Sequence, residues 1–221
     1  MSRQFSPYSN TVARLGVLGV FTGPWVLTYV AVRINLSPYV TSVGIHRNQP
    51  VPFSHRHHAR ELGIDCRYCH TSVEDSSFAN VPPIHTCMTC HSQIWKDSPM
   101  LAPVRDSYAS GIPIEWNRVN FVPDFVYFNH SIHVQKGIGC ETCHGRVDLM
   151  PLTARAQTLS MAWCLSCHRN PQRYVRPKEA VFEMGYQPPQ PQSVIGPRLM
   201  KQYNIRKLQD CYTCHRLTAR E

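Results

Sequence analysis

The feature that most limits how this chain can fold is a five-residue motif, Cys-x-x-Cys-His, that occurs five times and uses all ten cysteines. The copies are CRYCH, CMTCH, CETCH, CLSCH and CYTCH. The paired cysteines are Cys66 and Cys69, Cys87 and Cys90, Cys140 and Cys143, Cys164 and Cys167, and Cys211 and Cys214. The histidines that follow them are His70, His91, His144, His168 and His215. A cysteine pair at this spacing with a histidine directly after it is the attachment signature of a c-type haem.

The chemistry of attachment explains the spacing. The two thiols add to the two vinyl groups of one porphyrin, and the adjacent histidine reaches the iron as its proximal ligand. Structural disulfides also need an even number of cysteines, but they do not require a histidine after each pair. Zinc ribbons pair Cys-x-x-Cys units with each other, and five units would leave one unpaired. The sequence therefore predicts five covalent haems c, with the motif histidines as proximal ligands.

An internal repeat supplies candidates for the second axial ligands. The stretches FSHRHHARELGIDCRYCH, from Phe53, and FNHSIHVQKGIGCETCH, from Phe128, share the pattern F-x-H-x-x-H followed by a haem motif. The repeat aligns the distal candidates His55 and His58 with His130 and His133. Histidines three positions apart lie on one face of a helical turn and cannot both reach the same iron. We expect one to serve a nearby haem and the other to serve a haem across the module interface.

Four distal histidines leave one haem without a second ligand. Met161 and Met150 lie between the third and fourth motifs, and a thioether ligand there would raise the reduction potential of that haem. Methionine is more often core filling, and His46 and His85 are rival ligands. His57 lies between two ligand candidates, and we interpret it as a surface or propionate-facing residue.

The N-terminal segment has a different composition. The run from Leu15 to Val32 carries no charge, and its eighteen residues would form about 27 Å of helix. It is longer than the apolar core of a cleaved signal peptide, and no clear small-residue cleavage site follows it. We predict an uncleaved transmembrane signal anchor at residues 15–34, after a cytoplasmic N-terminus at residues 1–14.

The remaining residues, 35–221, are predicted to form a periplasmic pentahaem domain, because covalent haem attachment takes place outside the cytoplasmic membrane. Its parts are di-haem modules at about 49–94 and 125–171 and a fifth haem at about 205–216. With 18 prolines and 11 glycines, it should be mainly irregular, with short α-helices wrapped around the haems. The proline-rich connector at 172–205 is expected to be an extended strap or a flexible linker.

The formal net charge of +9 does not indicate a nucleic-acid partner. Ten haem propionates would largely offset it, and the lysines and arginines are dispersed. Arginine and lysine side chains are better suited here to binding the propionates.

The joint pattern resembles a known family. The stretches QPVPFSHRHHARELGIDCRYCH, VPPIHTCMTCH, VYFNHSIHVQKGIGCETCHG and LSMAWCLSCHRNP are similar to the pentahaem cytochrome c subunit of bacterial alternative complex III, over most of residues 49–171. The resemblance implies an inner-membrane complex that oxidises quinol and reduces a soluble periplasmic acceptor. It also implies iron–sulfur, integral membrane and further cytochrome subunits as partners. It carries His55, His58, His130 and His133 over as distal ligands, with Met161 as a candidate for the fifth.

Three functions can be considered for such a chain. The first is a non-catalytic electron-transfer subunit of a quinol-oxidising complex, which needs no catalytic residue in this chain. The second is a membrane-anchored multihaem quinol dehydrogenase that feeds a periplasmic reductase. The third is a multihaem enzyme such as a nitrite reductase, which needs an iron with an open distal position, and no Cys-x-x-Cys-Lys motif marks one. The motifs and their flanking residues favour the first.

Overall fold

The structure, a computed structural model, describes residues 6–215. The chain divides into two compact units, Met1–Ser42 and Val43–Glu221. Two short parts of the predicted segments lie outside the described residues. They are residues 1–5 of the N-terminus and residues 216–221 of the haem domain, of which residue 216 belongs to the fifth-haem segment.

The first unit is dominated by one long helix. Helix α1 (Ser9–Asn35) has 27 residues, and a one-turn helix, α2 (Pro38–Thr41), follows it. None of the residues of α1 is buried, its mean hydropathy reaches 1.7, and it is long and apolar enough to cross a membrane. Pro24 lies inside α1 and has no N–H to donate. The Thr28 hydroxyl donates to the Pro24 carbonyl at 2.8 Å, so this threonine bonds to the backbone within its own helix.

The second unit consists of short helices joined by irregular segments. Its α-helices are α3 (Cys66–Cys69), α4 (Ile84–His91), α5 (Ala102–Ser110), α6 (His130–Gln135), α7 (Cys140–His144), α8 (Met161–Arg169), α9 (Gln192–Gln202) and α10 (Cys211–Cys214). A π-helical turn spans Arg56–Glu61, and 3₁₀ turns span Pro99–Leu101, Val147–Leu149, Pro171–Arg173 and Lys178–Ala180. Within residues 6–215, β-pairing is limited to isolated bridges. The predicted fold class, irregular with short helices and one N-terminal apolar helix, is confirmed.

All five haem motifs lie on helical turns: α3, the end of α4, α7, the end of α8, and α10. Residues three apart on such a turn share one face, so the helical conformation presents both thiols of a motif to the same side. Local caps fix two of these turns. The Asp65 carboxylate accepts from the Arg67 backbone N–H, and the Ser160 hydroxyl accepts from the Trp163 backbone N–H.

The apolar cores of the second unit are small. One contains the buried side chains of Val51, Leu101 and Val104. The other contains those of Val175, Ile195 and Leu199. Cores of this size agree with a chain that is organised around cofactors more than around its own apolar side chains.

The connector at 172–205 differs from the expected strap or linker at residues 192–202, where that prediction was wrong. Residues Gln192–Gln202 form α9, and its buried residues Ile195 and Leu199 are four positions apart on the face that packs on Val175. Pro191 precedes the helix and is compatible with its start, whereas Pro197 lies inside it. Apolar side chains at helical spacing decided the conformation here, in spite of the high proline content.

A buried ion pair joins this connector to the third haem motif. The Arg176 guanidinium donates to the Glu141 carboxylate at 2.7 Å and to the Glu183 carbonyl at 3.1 Å. The second Glu141 oxygen accepts from the Gly185 backbone N–H at 2.6 Å. Because Glu141 lies inside CETCH, the connector is fixed directly to the attachment motif.

Gly137 allows the chain to pass close to Arg176. Its φ is +77°, and a Cβ at this position would meet the Arg176 backbone carbonyl. Gly111, which ends α5, has a φ of +71°, and a Cβ there would have no neighbouring atom within 4 Å. The two glycines therefore share a left-handed backbone and differ in the space around them.

We expect Gly137→Ala to destabilise the protein more than Gly111→Ala. Both substitutions carry the cost of a left-handed alanine, about 1–2 kcal/mol. Gly137→Ala adds a steric clash with backbone, which typically costs roughly a further 1–3 kcal/mol. Denaturant unfolding of the haem-loaded protein measures the difference, and equal losses for the two variants would contradict this account.

Asp148 follows the third motif and is almost fully buried, at 4% exposure. The Arg146 guanidinium donates to both of its carboxylate oxygens, at 2.8 and 2.7 Å, and these bonds lower the pKa of the Asp148 carboxyl. A carboxyl with a lowered folded-state pKa adds stability that is fully present above its unfolded-state pKa. That stability is lost as the pH falls through the folded-state value.

Asp148→Asn should therefore lower the thermal unfolding midpoint at neutral pH. The difference from the unsubstituted protein should shrink once the pH falls below about 3.9, the ordinary carboxyl pKa. The exposed Asp106, on α5, provides the control Asp106→Asn, which should change the midpoint little at any pH. If the unfolding midpoint of Asp148→Asn stayed equally far below that of the unsubstituted protein in acid, the ionised Asp148 carboxylate would not be the source of the stability.

Candidate functional site

The ten motif thiols form no disulfide within residues 6–215. Those of the third motif are the most affected by burial, which raises the pKa of Cys140 to about 11 and that of Cys143 to about 12. Thiols with pKa values this high are neutral at neutral pH, as expected for buried cysteine side chains.

Among the described residues, four pairs of histidine rings from separate segments have their centroids 6.2 to 6.5 Å apart, and a fifth pair is formed by the adjacent His57 and His58. The four pairs from separate segments are the ones that concern the haem motifs. Each pair joins one motif histidine to one of the four distal candidates. The pairs, with centroid distance and angle between ring planes, are His55 with His70 (6.5 Å, 8°), His58 with His91 (6.2 Å, 66°), His130 with His144 (6.4 Å, 8°) and His133 with His168 (6.2 Å, 76°).

These distances test whether the residues fit a haem iron. Imidazole nitrogens bind transition metals at about 2.0–2.1 Å, so two rings on opposite sides of one metal have centroids roughly 6 Å apart. The observed distances of 6.2 to 6.5 Å match that separation. Rings in direct contact would lie closer, as the Phe53 and His58 rings do at 4.5 Å. The residues present therefore fit four bis-histidine haem sites.

Hydrogen bonds at Nδ1 orient most of these rings. Backbone carbonyls accept from His58 (Ser54, 2.9 Å), His70 (Asn80, 2.7 Å), His91 (Ile94, 3.0 Å), His130 (Ser77, 2.9 Å) and His133 (Asn129, 2.7 Å). His55 Nδ1 is bonded to the Thr153 hydroxyl at 3.0 Å. Since Nδ1 carries the proton in a bond to a carbonyl, Nε2 is the nitrogen left to bind a metal, which is the usual arrangement around metal-binding histidines.

Burial lowers the pKa of several site histidines and favours their neutral form. It lowers the pKa of His55 to about 4, with His70 and His58 adding to the effect, and it lowers the pKa of His144 to about 4. Burial also lowers the pKa of His130 and His133. The neutral imidazole is the form that binds a metal, so the surroundings favour ligation over protonation.

The pairing of distal and motif histidines differs from the prediction for His58 and His133. His55 and His130 each face the first motif of their own module, but His58 and His133 face the second motif of the same module, not one across the interface. The contacts across the interface are hydrogen bonds to the ligands. Ser77 of the first module binds His130, and Thr153 of the second binds His55.

The motifs follow one another in space in an order different from that in the chain. The Tyr68 hydroxyl of the first motif is bonded to the Thr89 hydroxyl of the second at 3.0 Å. Besides burial, the Cys66 thiol of the first motif raises the pKa of Cys140 in the third, Cys167 raises that of Cys143, and Cys214 raises that of Cys164. These neighbours give the order second, first, third, fourth, fifth.

The fifth motif is held by the segment before the second repeat. His215 Nδ1 donates to the Phe125 carbonyl at 3.2 Å, and the two rings are stacked at 5.8 Å. Met161 is the first residue of α8 and is 67% exposed. Met150 is half-buried, and its sulfur accepts from the Ala154 backbone N–H at 3.5 Å. The Met161 thioether is thus the more accessible of the two candidates.

The three remaining histidines, His46, His57 and His85, are not paired with a motif histidine in the described residues. His46 Nδ1 donates to the Leu152 carbonyl, and His85 lies in α4. His57 is paired with the Glu61 carboxylate at 3.0 Å and stacks on Trp95 at 5.8 Å.

Sequence reasoning gave no role to several residues that shape the site. Ser77 and Thr153 bind distal histidines, but nothing in their local sequence marks them. Phe53 and Phe128 contact both distal histidines of their own repeat. Their equivalent places in the two F-x-H-x-x-H stretches were the signal that could have identified them.

Comparisons with known proteins agree with this geometry. The family model for class III cytochrome C matches residues 35–104, and the model for cytochrome c7 and related cytochrome c matches residues 126–219. The chain is 33% identical over 145 residues to the menaquinone reductase, multiheme cytochrome c subunit, of Nitratidesulfovibrio vulgaris strain Hildenborough. That alignment covers 56% of this chain and 69% of the relative.

Proposed function

The chain belongs to the multihaem cytochromes c, and on this premise we propose that it carries electrons through five haems as a subunit of a quinone-linked membrane complex. The observation that carries the proposal is the set of four imidazole ring pairs at 6.2 to 6.5 Å, each joining a motif histidine to a distal one. A c-type haem, when bound, supplies an iron that gains and loses one electron at a time.

The roles of the chain's own residues follow from their positions. The ten motif cysteines attach the porphyrins, and the five motif histidines are the proximal ligands. His55, His58, His130 and His133 are the distal ligands of the first, second, third and fourth sites. The Nδ1 hydrogen bonds hold these rings in place, so that no large rearrangement accompanies a change of iron charge.

The spatial order of the motifs sets the route of electron transfer along the protein. The second and fifth motifs stand at the two ends, and the third is at the centre, where burial, His130 and then His70 of the first motif lower the pKa of His144. Electrons would enter at one end and leave at the other. The ends are therefore the parts of the chain that must approach a partner.

For the fifth site we propose Met161 as the second axial ligand. Met161 and Cys164 are three residues apart on α8 and share a face. Cys164 is the thiol on which Cys214 of the fifth motif acts. A thioether ligand would give this end site a higher potential than the bis-histidine sites.

The membrane arrangement is also proposed. Helix α1 is the single-pass anchor in the cytoplasmic membrane, residues 1–14 are cytoplasmic, and the haem domain from residue 35 is periplasmic. The resemblance to alternative complex III favours quinol oxidation, with iron–sulfur and integral membrane subunits as partners and a soluble periplasmic carrier as acceptor.

A second function is favoured by the similarity to a menaquinone reductase subunit. In that case electrons would flow from a periplasmic donor towards quinone. A quinol dehydrogenase that feeds a periplasmic reductase is a third arrangement of the same parts.

The direction of flow can be measured on the purified complex. Under anaerobic conditions, quinol added to the oxidised complex should reduce the haems, with electrons passing on to a soluble cytochrome c. Low-temperature electron paramagnetic resonance (EPR) should show low-spin iron at all five sites. Failure of quinol to reduce the haems, together with haem oxidation by quinone, would favour the menaquinone-reducing function. A large high-spin signal would contradict the carrier function.

The fifth ligand has its own test. Met161→Ala should lower the midpoint of the highest-potential haem by on the order of 0.1 V or convert that iron to high spin, because the thioether is lost. Met150→Ala is the matched control and should leave the redox titration unchanged. The reverse result, with Met150→Ala affecting the titration, would assign the ligand to Met150.

A further inference from the structure

Phe53 touches both distal histidines of the first repeat in two different ways. Its ring stands perpendicular to His55, at 4.9 Å and 88°. The same ring is stacked nearly parallel on His58, at 4.5 Å and 22°. One phenylalanine thus holds two axial ligands at nearly right angles to each other.

The second repeat has the same arrangement. Phe128 stands perpendicular to His130, at 4.7 Å and 88°, and is stacked on His133, at 4.6 Å and 28°. The backbones of the two copies differ, since residues 56–61 form a π-helical turn and residues 130–135 an α-helix. The shared ring geometry therefore does not follow from the helix type, and the phenylalanine is the element common to both copies.

A second contact completes the orientation of each ring. The stacked histidines, His58 and His133, each donate to the carbonyl four residues earlier. The perpendicular histidines, His55 and His130, are bonded to Thr153 and Ser77 of the other module. A ring with one hydrogen bond and one aromatic contact cannot rotate freely about its bond to a metal.

The consequence is visible in the four ligand pairs. The perpendicular histidines have ring planes nearly parallel to those of their motif partners, at 8° in both modules. The stacked histidines have ring planes crossed with those of their partners, at 66° and 76°. Each module thus contains one parallel and one crossed pair.

We propose that Phe53 and Phe128 are positioning residues that set the axial ring planes, and so divide the four bis-histidine haems into two electronic classes. This inference rests on the proposed function, because the ring pairs must bind iron. Two imidazoles with parallel ring planes donate into the same iron d orbital and split it from its neighbour, whereas crossed imidazoles act on both orbitals almost equally. Parallel sites therefore give a rhombic ferric EPR signal, and crossed sites give a strongly anisotropic one with a single large g value.

The test is EPR of the purified, fully oxidised complex with its full-length subunit. The unsubstituted protein should show both signal classes, with two of the four bis-histidine irons in each and the fifth iron giving a signal of its own. Phe53→Leu removes the flat ring with little loss of volume, and it should abolish or shift about half of the strongly anisotropic signal. Phe128→Leu should affect the other half. Phe53→Tyr and Phe128→Tyr keep the ring and should restore the signals.

Phe182→Leu is the matched control, because the Phe182 ring packs under Arg67 at 4.7 Å and not on a distal histidine. It should leave the spectrum unchanged. Haem content, measured on every variant, separates a change of orientation from a loss of cofactor. If a leucine variant does not take up haem, the spectrum of the unsubstituted protein still tests whether two classes of bis-histidine site exist.

Two outcomes would overturn the inference. One is a single class of low-spin signal in the unsubstituted protein. The other is a spectrum that both leucine variants leave unchanged at full haem content. Either result would leave the proposed function intact, whereas the absence of low-spin bis-histidine signals altogether would contradict the function itself.

Discussion

Two imidazole rings that share one iron must be held roughly 6 Å apart, and the rest of this structure depends on meeting that requirement. One ring of each pair comes directly after two attachment thiols, but the other comes from a separate segment of the chain. The backbone must therefore bring distant segments together so that the separation of the two rings varies little. Short helical turns at the motifs, and carbonyls that accept from Nδ1, provide the necessary fixed points. The small apolar cores around Leu101 and Leu199 then have only a secondary part in organising the fold.

The variable residues inside the motifs connect these fixed points to each other. Tyr68 of CRYCH is bonded to Thr89 of CMTCH, so the first two motifs contact each other directly. Glu141 of CETCH receives the buried Arg176, and through it the connector that carries α9. The two positions between the cysteines are thus not neutral spacers. They join one attachment turn to the next and to the polypeptide that surrounds it.

Sequence reasoning succeeded where a feature is local and repeated. The five motifs, the two F-x-H-x-x-H stretches, the N-terminal apolar helix and the irregular fold class follow from spacing and composition alone. It did not give the partner of His58 or the spatial order of the motifs, because both depend on how the loops fold back. The helix at Gln192–Gln202 was missed since proline content outweighed the apolar spacing of Ile195 and Leu199. Thr153 and Ser77 could not be found either, because one hydroxyl and one carbonyl acquire their roles only through long-range contact.

The exchange of hydrogen bonds between the modules has a consequence for biogenesis. Thr153, which orients His55, lies beyond the third motif, so the first haem site is incomplete when its own cysteines leave the ribosome. The third site in turn needs Ser77, which was synthesised earlier. The hydrogen bonds that orient His55 and His130 can therefore form only after both halves of the haem domain have emerged. Either half produced alone would lack the hydrogen bond that the other half supplies to one of its distal histidines.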